Sequence, residues 1–235
     1  MKRLVLLVEA EGDVQAVPAL VARLLAQLPQ PFQGQLFLDN APMKVGGVHQ
    51  ITGNRKSDLA RHLGNAAKRP KLGAALLILD GDAERVEGQA FCAVEVARSL
   101  AERAVQAGAG KLFSFAVVFL RQEYESLFLA LADQLPGLKP GVQLPPSPEE
   151  SPRDAKRWLH ESLTDGYKPT EHQLELTRAI EDWIPATSLK CFRRLEHALQ
   201  QLAESVANCR HRVSPLRPAM EAKGPSDRGD GDAKE

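Results

Sequence analysis

The sequence predicts an α/β fold: an open, mostly parallel sheet with helices on both faces, followed by a C-terminal helical extension. Three observations predict it. Continuous apolar runs at Arg3–Val8 (RLVLLV), Ala74–Leu79 (AALLIL) and Phe113–Leu120 read as strands buried on both faces, the pattern of parallel sheets. Between them lie segments with apolar residues at helical spacing. Strand and helix alternate, as crossover-connected parallel strands require.

The elements follow in order. After the first strand, Glu9-Ala10-Glu11-Gly12-Asp13 reads as an acidic loop, with Asp13 as helix N-cap. Ala16, Leu20, Leu24 and Leu28 mark one face of that helix, and Pro29 and Pro31 end it. Leu36–Leu38 reads as a short second strand. Residues 40–55, with Gly46, Gly47 and Gly53, read as a surface loop. Ser57 caps a helix to about Arg69, which Pro70 closes. The AALLIL strand delivers Asp80-Gly81-Asp82 at its carboxyl end. A long helix is expected over 87–106, ended by Gly108 and Gly110, and another over 123–134 after the Phe113–Leu120 strand.

The expected domain plan is a metal-binding domain over 1–135, a stiff linker or wrapping loop over 136–152, and a helical extension over 153–210. Six prolines between 136 and 152 exclude a helix or an interior strand there. Helices are expected at about 153–164, 171–183 and 188–207. Residues 211–235 are expected to form a disordered tail, most clearly from Met220 on, where Gly, Asp, Lys and Ser prevail without an apolar face.

Composition bounds the function. Hydrophobic residues make up 43% of the 235, enough for a core, and aromatics only 5%, so Leu, Val and Ala must fill it. Thirty basic side chains balance thirty acidic ones, so net charge selects no partner. Cys92, Cys191 and Cys209 are odd in number and lack CxxC spacing, against both a disulfide framework and a zinc site. Only five apolar residues precede Glu9, against roughly 7–15 for a secretory core. A cytoplasmic protein that does not cross a membrane is expected.

The acidic residues carry the chemistry. In open α/β sheets ligands bind beyond the carboxyl ends of the strands. Glu9 ends one strand; Asp80 and Asp82 end another. Carboxylates that converge raise one another's pKa unless a cation separates them. A hard divalent ion with oxygen ligands, Mg²⁺ or Mn²⁺, is the physical remedy. Gly81 allows a tight turn between the two aspartates. The competing reading is that Asp13 and Asp82 simply cap the helices that follow.

These residues resemble TOPRIM motifs: Val8-Glu9-Ala10-Glu11-Gly12-Asp13 is similar to the glutamate motif after the first strand, and Leu79-Asp80-Gly81-Asp82 to the DxD motif. Ala10 departs from the usual glycine. A longer resemblance, over about residues 3–205, adds Glu123-Tyr124-Glu125, Tyr167-Lys168-Pro169-Thr170 with Gln173, and Cys191-Phe192-Arg193 with Leu195. That whole set is similar to an uncharacterised bacterial TOPRIM-like family related to the TOPRIM domains of OLD-type nucleases. Genes of that family often stand beside ATPase genes in defence-type neighbourhoods. The resemblance implies a TOPRIM fold, Mg²⁺ or Mn²⁺ held by Glu9, Asp80 and Asp82, a second ion near Glu123, action on DNA or RNA phosphodiesters, and an ATPase partner.

Other features are less specific. Glu9 or Glu11 can serve as general base. Arg55, Lys56, Arg61, Lys68 and Arg69, with Lys71, face only Asp58 as a local acid and suit a nucleic-acid backbone or, equally, a solvated helix face. Lys156, Arg157, Lys168, Arg193 and Arg194 form a second, looser basic set. His172 and His197 have no partner ligand at helical spacing. Two functions compete: a metal-dependent nuclease, and a non-catalytic module that binds metal, nucleotide or a partner at the same edge. A haloacid-dehalogenase-type phosphatase fits poorly, because its DxD follows the first strand and precedes Gly-Thr, whereas here Ala83-Glu84 follow.

Overall fold

Parallel strands dominate the computed structural model, which describes residues 1–53 and 57–216. Strands β1 (Lys2–Val8), β2 (Leu36–Leu38), β3 (Met43–Lys44), β4 (Leu72–Asp80), β7 (Ser114–Leu120) and β8 (Val213–Ser214) form one sheet. Its order is β2-β1-β4-β7-β8, with β3 also on β1, and every described pairing in it is parallel. The three longest strands, β1, β4 and β7, are neighbours at the centre. Their carboxyl ends therefore lie side by side.

The period-2 pleat divides the core in two. Leu4, Leu6, Val8, Leu76, Ile78, Val118 and Leu120 face one layer, built from α1 (Glu11–Ala26), α5 (Ser126–Leu129), α6 (Ala155–Ser162), α7 (Pro169–Ala179) and α8 (Lys190–Ala207). Val5, Leu7, Leu77, Leu79, Phe115, Val117 and Phe119 face the other, built from α2 (Val48–Thr52), α3 (Ser57–Ala67) and α4 (Ala93–Gln106). The helices after residue 153 thus share one core with the N-terminal strands. The proline-rich segment carries neither helix nor strand and is tied back at both ends. Lys139 N–H donates to Ser162 O at 2.9 Å, and Cys191 N–H donates to the Glu149 carboxylate at 2.8 Å.

Several expectations are corrected. Helix α1 starts at Glu11, with Ala10 as N-cap; Asp13 sits in the first turn and accepts the Ala10 N–H at 2.9 Å. Residues 40–55 are not a plain surface loop: β3 pairs with β1, and α2 buries Val48 and Ile51 beside Val45. The expected 87–106 helix begins only at Ala93. Before it, β5 (Arg85–Val86) and β6 (Gln89–Ala90) form a hairpin. Its two-residue turn, Glu87-Gly88, has both φ positive, the geometry hairpin twist selects. The expected 123–134 helix is broken into the one-turn α5 and a 3₁₀ turn at Ala132–Gln134. The Ser126 hydroxyl, bonded to the Arg121 and Glu123 carbonyls, draws the backbone into a turn instead. Within the expected tail, Val213 and Ser214 form β8 against β7; the rest of that tail, from residue 217, lies outside the described residues.

Candidate functional site

Three adjacent strand ends deliver acids to one edge. Glu9 follows β1, Asp80 closes β4, and Glu123 and Glu125 follow β7. The Glu9 carboxylate accepts the Asp80 N–H at 2.9 Å, which locks the first two strand ends together. The Asp80 carboxylate in turn accepts the Tyr124 N–H at 3.1 Å, joining the third. Gly47 lies against Glu9: a Cβ there would stand 2.9 Å from a Glu9 oxygen, so a larger residue would push the carboxylate aside. Gly81 is similarly close-packed between β4 and β7, here against backbone. Its N–H donates to Gln122 O at 2.7 Å, and a Cβ would meet Leu120 O at 2.7 Å. Gly81→Ala is therefore expected to destabilise the chain by about 1–3 kcal/mol, since backbone must shift to admit the methyl group; thermal unfolding measures it.

Burial and like charge act on this edge together. Burial first, then Asp13, Glu9 and Glu125, hold the Asp80 carboxyl well above the ordinary aspartate range. Glu9 is raised by burial and by Asp82 and Asp13, with the Asp80 N–H opposing. Asp13 is buried, and its second oxygen accepts from the Gln173 side chain at 2.8 Å. Glu125 is 1% exposed and accepts the Tyr167 hydroxyl at 2.9 Å; burial pushes its carboxyl up to about 7. Tyr124 and Thr177 hydroxyls meet at 2.9 Å beneath it.

The predicted site residues separate under this geometry. Glu9 and Asp80 come together. Asp82 is exposed and close enough for its charge to be felt at Glu9. Glu11 is exposed and paired with Lys44 at 2.8 Å. Glu123 turns to Lys156: one oxygen accepts the Lys156 backbone N–H at 3.1 Å, the other its ammonium at 2.6 Å. Among the described residues, no three His, Cys, Asp or Glu side chains form a ready-made metal-holding group. No family model, curated protein or solved structure matches the chain.

The basic run on α3 is spread out. Arg3 pairs with Leu72 at the amino end of the sheet, so α3 runs from the carboxyl edge down to the amino edge. Its 11 residues span about 16 Å. Lys68 and Arg69 follow its lower end, and Arg69 turns inward to Asp39 at 2.6 Å. Arg61 is exposed beside Asp58 at 3.5 Å. Arg55 and Lys56 lie outside the described residues. Sequence reasoning named Arg194 in its second basic set but missed Arg121 and Lys190 beside it. A cavity of about 430 Å³ opens beside Gly81, with Arg121, Lys190 and Arg194 in its wall. Lys190 and Arg194 stand one turn apart on α8, and Arg121, just after β7, joins them only through the fold. Lys156 was visible only as one of a loose group, and its partners Glu123 and Glu125 lie some thirty residues earlier.

Proposed function

We propose that the chain is a divalent-metal-dependent phosphodiester-processing protein, a nuclease acting on DNA or RNA at the carboxyl edge of its sheet. The observation that carries this reading is the joining of Glu9 and Asp80 across adjacent strands, in surroundings that penalise their charge. Carboxylate oxygens are the donors a hard cation takes, and Mg²⁺ needs only one or two of them when water and substrate phosphate fill its remaining positions. Glu9, Asp80 and Asp82 are the residues that would hold one such ion. When bound, it supplies charge to the phosphoryl oxygens.

The chain's own groups do the rest. Glu9 uses one oxygen on the Asp80 N–H and Glu11 one on the Lys44 ammonium, so each keeps an oxygen that can take a proton from attacking water. In the hydrolysis, water oxygen bonds to phosphorus, the bond to the leaving oxygen breaks, and that oxygen gains a proton from solvent. Arg121, Lys190 and Arg194, which share their cavity wall with Glu149 and Glu150, are the cations there that could meet flanking phosphates. Among the described residues no three-ligand group is preformed, and a second reading is a binding module on the same edge.

The test compares wild type, Glu9→Gln and Asp82→Ala on plasmid DNA and on RNA, with Mg²⁺ or Mn²⁺, with and without a candidate ATPase partner. Cleavage by wild type alone, and only with the ion, is expected. Equal cleavage by all three sinks the proposal, and no cleavage by wild type favours the binding module. Charge reversal at Lys190 and Arg194 is expected to weaken nucleic-acid affinity about tenfold or more and to flatten its salt dependence. Reversal at Lys68 should do neither.

A further inference from the structure

We propose that Lys156 is the resident cation of the acidic edge, holding the place between Glu123 and Glu125 that a second divalent ion would need, so that the site takes one ion and not two. This rests on the metal-dependent reading above.

Lys156 is held from behind. It stands in the first turn of α6, where Ala155 and Leu159, 1% and 0% exposed, seat the helix in the core. Its backbone N–H and its ammonium grip the two oxygens of Glu123, at 3.1 and 2.6 Å. The same ammonium stands 3.6 Å from Glu125, whose other oxygen takes the Tyr167 hydroxyl. An ammonium carries three donors. Glu123 and Glu125 face two of them, and the side chain is 42% exposed, so one donor remains toward the open edge.

Charge counting points the same way. Lys156 cancels Glu123, and Asp13 is satisfied by Gln173 and the Ala10 N–H. The acids left open at the edge are Glu9, Asp80 and Asp82, most of whose charge one divalent ion offsets. Glu9 and Asp80 also feel the Lys156 charge, so its field reaches the proposed ion's ligands. Both Glu123 oxygens are already spent, and a second ion would have to expel the ammonium to reach them.

Mn²⁺ stoichiometry reads this without any activity assay. Full-length wild type, Lys156→Arg, Lys156→Ala, Lys156→Gln, and a triple variant with Lys156→Met, Glu123→Gln and Glu125→Gln are titrated with Mn²⁺, by calorimetry and by electron paramagnetic resonance of the free ion. One Mn²⁺ per chain is expected for wild type, Lys156→Arg and the triple variant. Two are expected for Lys156→Ala and Lys156→Gln, the second at least tenfold weaker. A strut that merely pins α6 would lower the melting temperature of Lys156→Ala and leave the count at one, which overturns the proposal. Lys156→Gln keeps donors for both carboxylates if Lys156→Ala does not fold, and two ions in wild type overturn the inference without any variant. No Mn²⁺ in wild type is a separate failure, that of the metal reading.

Discussion

Asp80→Asn is expected to abolish Mn²⁺ binding and, in the same molecule, to raise the stability of the metal-free protein. Asp80 is the acid most penalised for its charge: burial, Asp13, Glu9 and Glu125 all act against it. Asparagine keeps an oxygen to accept the Tyr124 N–H, so the backbone tie between β4 and β7 survives. What goes is a repelling charge, and relief of strain at a functional site is worth about 0.5–2 kcal/mol. In a chain of this size each kcal/mol shifts the melting temperature by about 2–4 °C. A ligand to the ion goes with it, and cleavage should fall by about 10² or more. Calorimetric titration and thermal melting on one preparation measure both effects. Unchanged Mn²⁺ affinity would remove Asp80 from the ligand set.

Metal-free protein is also expected to lose stability as pH rises from mildly acidic to neutral. Glu125 carries most of the argument. Its carboxyl titrates at about 7 when folded and near 4.5 when free. The folded chain thus holds a proton that the unfolded chain has released, so this stabilising contribution is complete below pH 4.5 and is lost as pH passes about 7. At about 1.36 kcal/mol per pH unit between those values, the loss is on the order of 3 kcal/mol. Asp80 and Glu9, both raised, add in the same direction. Asp39 opposes at the acid end. Burial would raise it, but the Ala41 N–H and the Arg3 and Arg69 guanidiniums hold it below the ordinary range. Its contribution is lost as pH falls below about 4. A maximum between about pH 4 and 4.5 is expected in chelator, and Mn²⁺ should restore stability at neutral pH. Denaturant midpoints across pH 4–8 test it; a flat profile would mean that Glu125 is not held protonated.

The central strands and most helices were legible because their signals are local. RLVLLV and AALLIL are apolar on both faces, and the acids that end them fall where parallel strands put ligands. The errors arose where local signals were weak or misleading. Gly46 and Gly47 read as loop, yet Gly47 packs against the Glu9 carboxylate, where a Cβ would stand 2.9 Å from its oxygen. Glu87-Gly88 is a hairpin turn that hid inside a helix-like stretch. Glu123 was legible as an acid at the sheet edge. Its engagement with Lys156 was not, because pairing across thirty-three residues is decided by packing of α6, not by spacing.

The Asp13–Gln173 hydrogen bond joins residues 160 positions apart. Gly12 makes room for it, since a methyl group there would lie 2.0 Å from the Gln173 side-chain oxygen. That tie has a consequence for the order of assembly. Strands β1, β4 and β7 can pair once residue 120 has been made, yet the layer of α6, α7 and α8 that covers one face of them comes last. During synthesis that face is covered only in part, by α1 and α5, and the acids of the edge stand without their ammonium. Nascent chains of this protein therefore have an interval in which they are both sticky and electrostatically unbalanced, a state in which chaperones or early metal capture matter most. The finished site is a product of the last third of the chain as much as of the first.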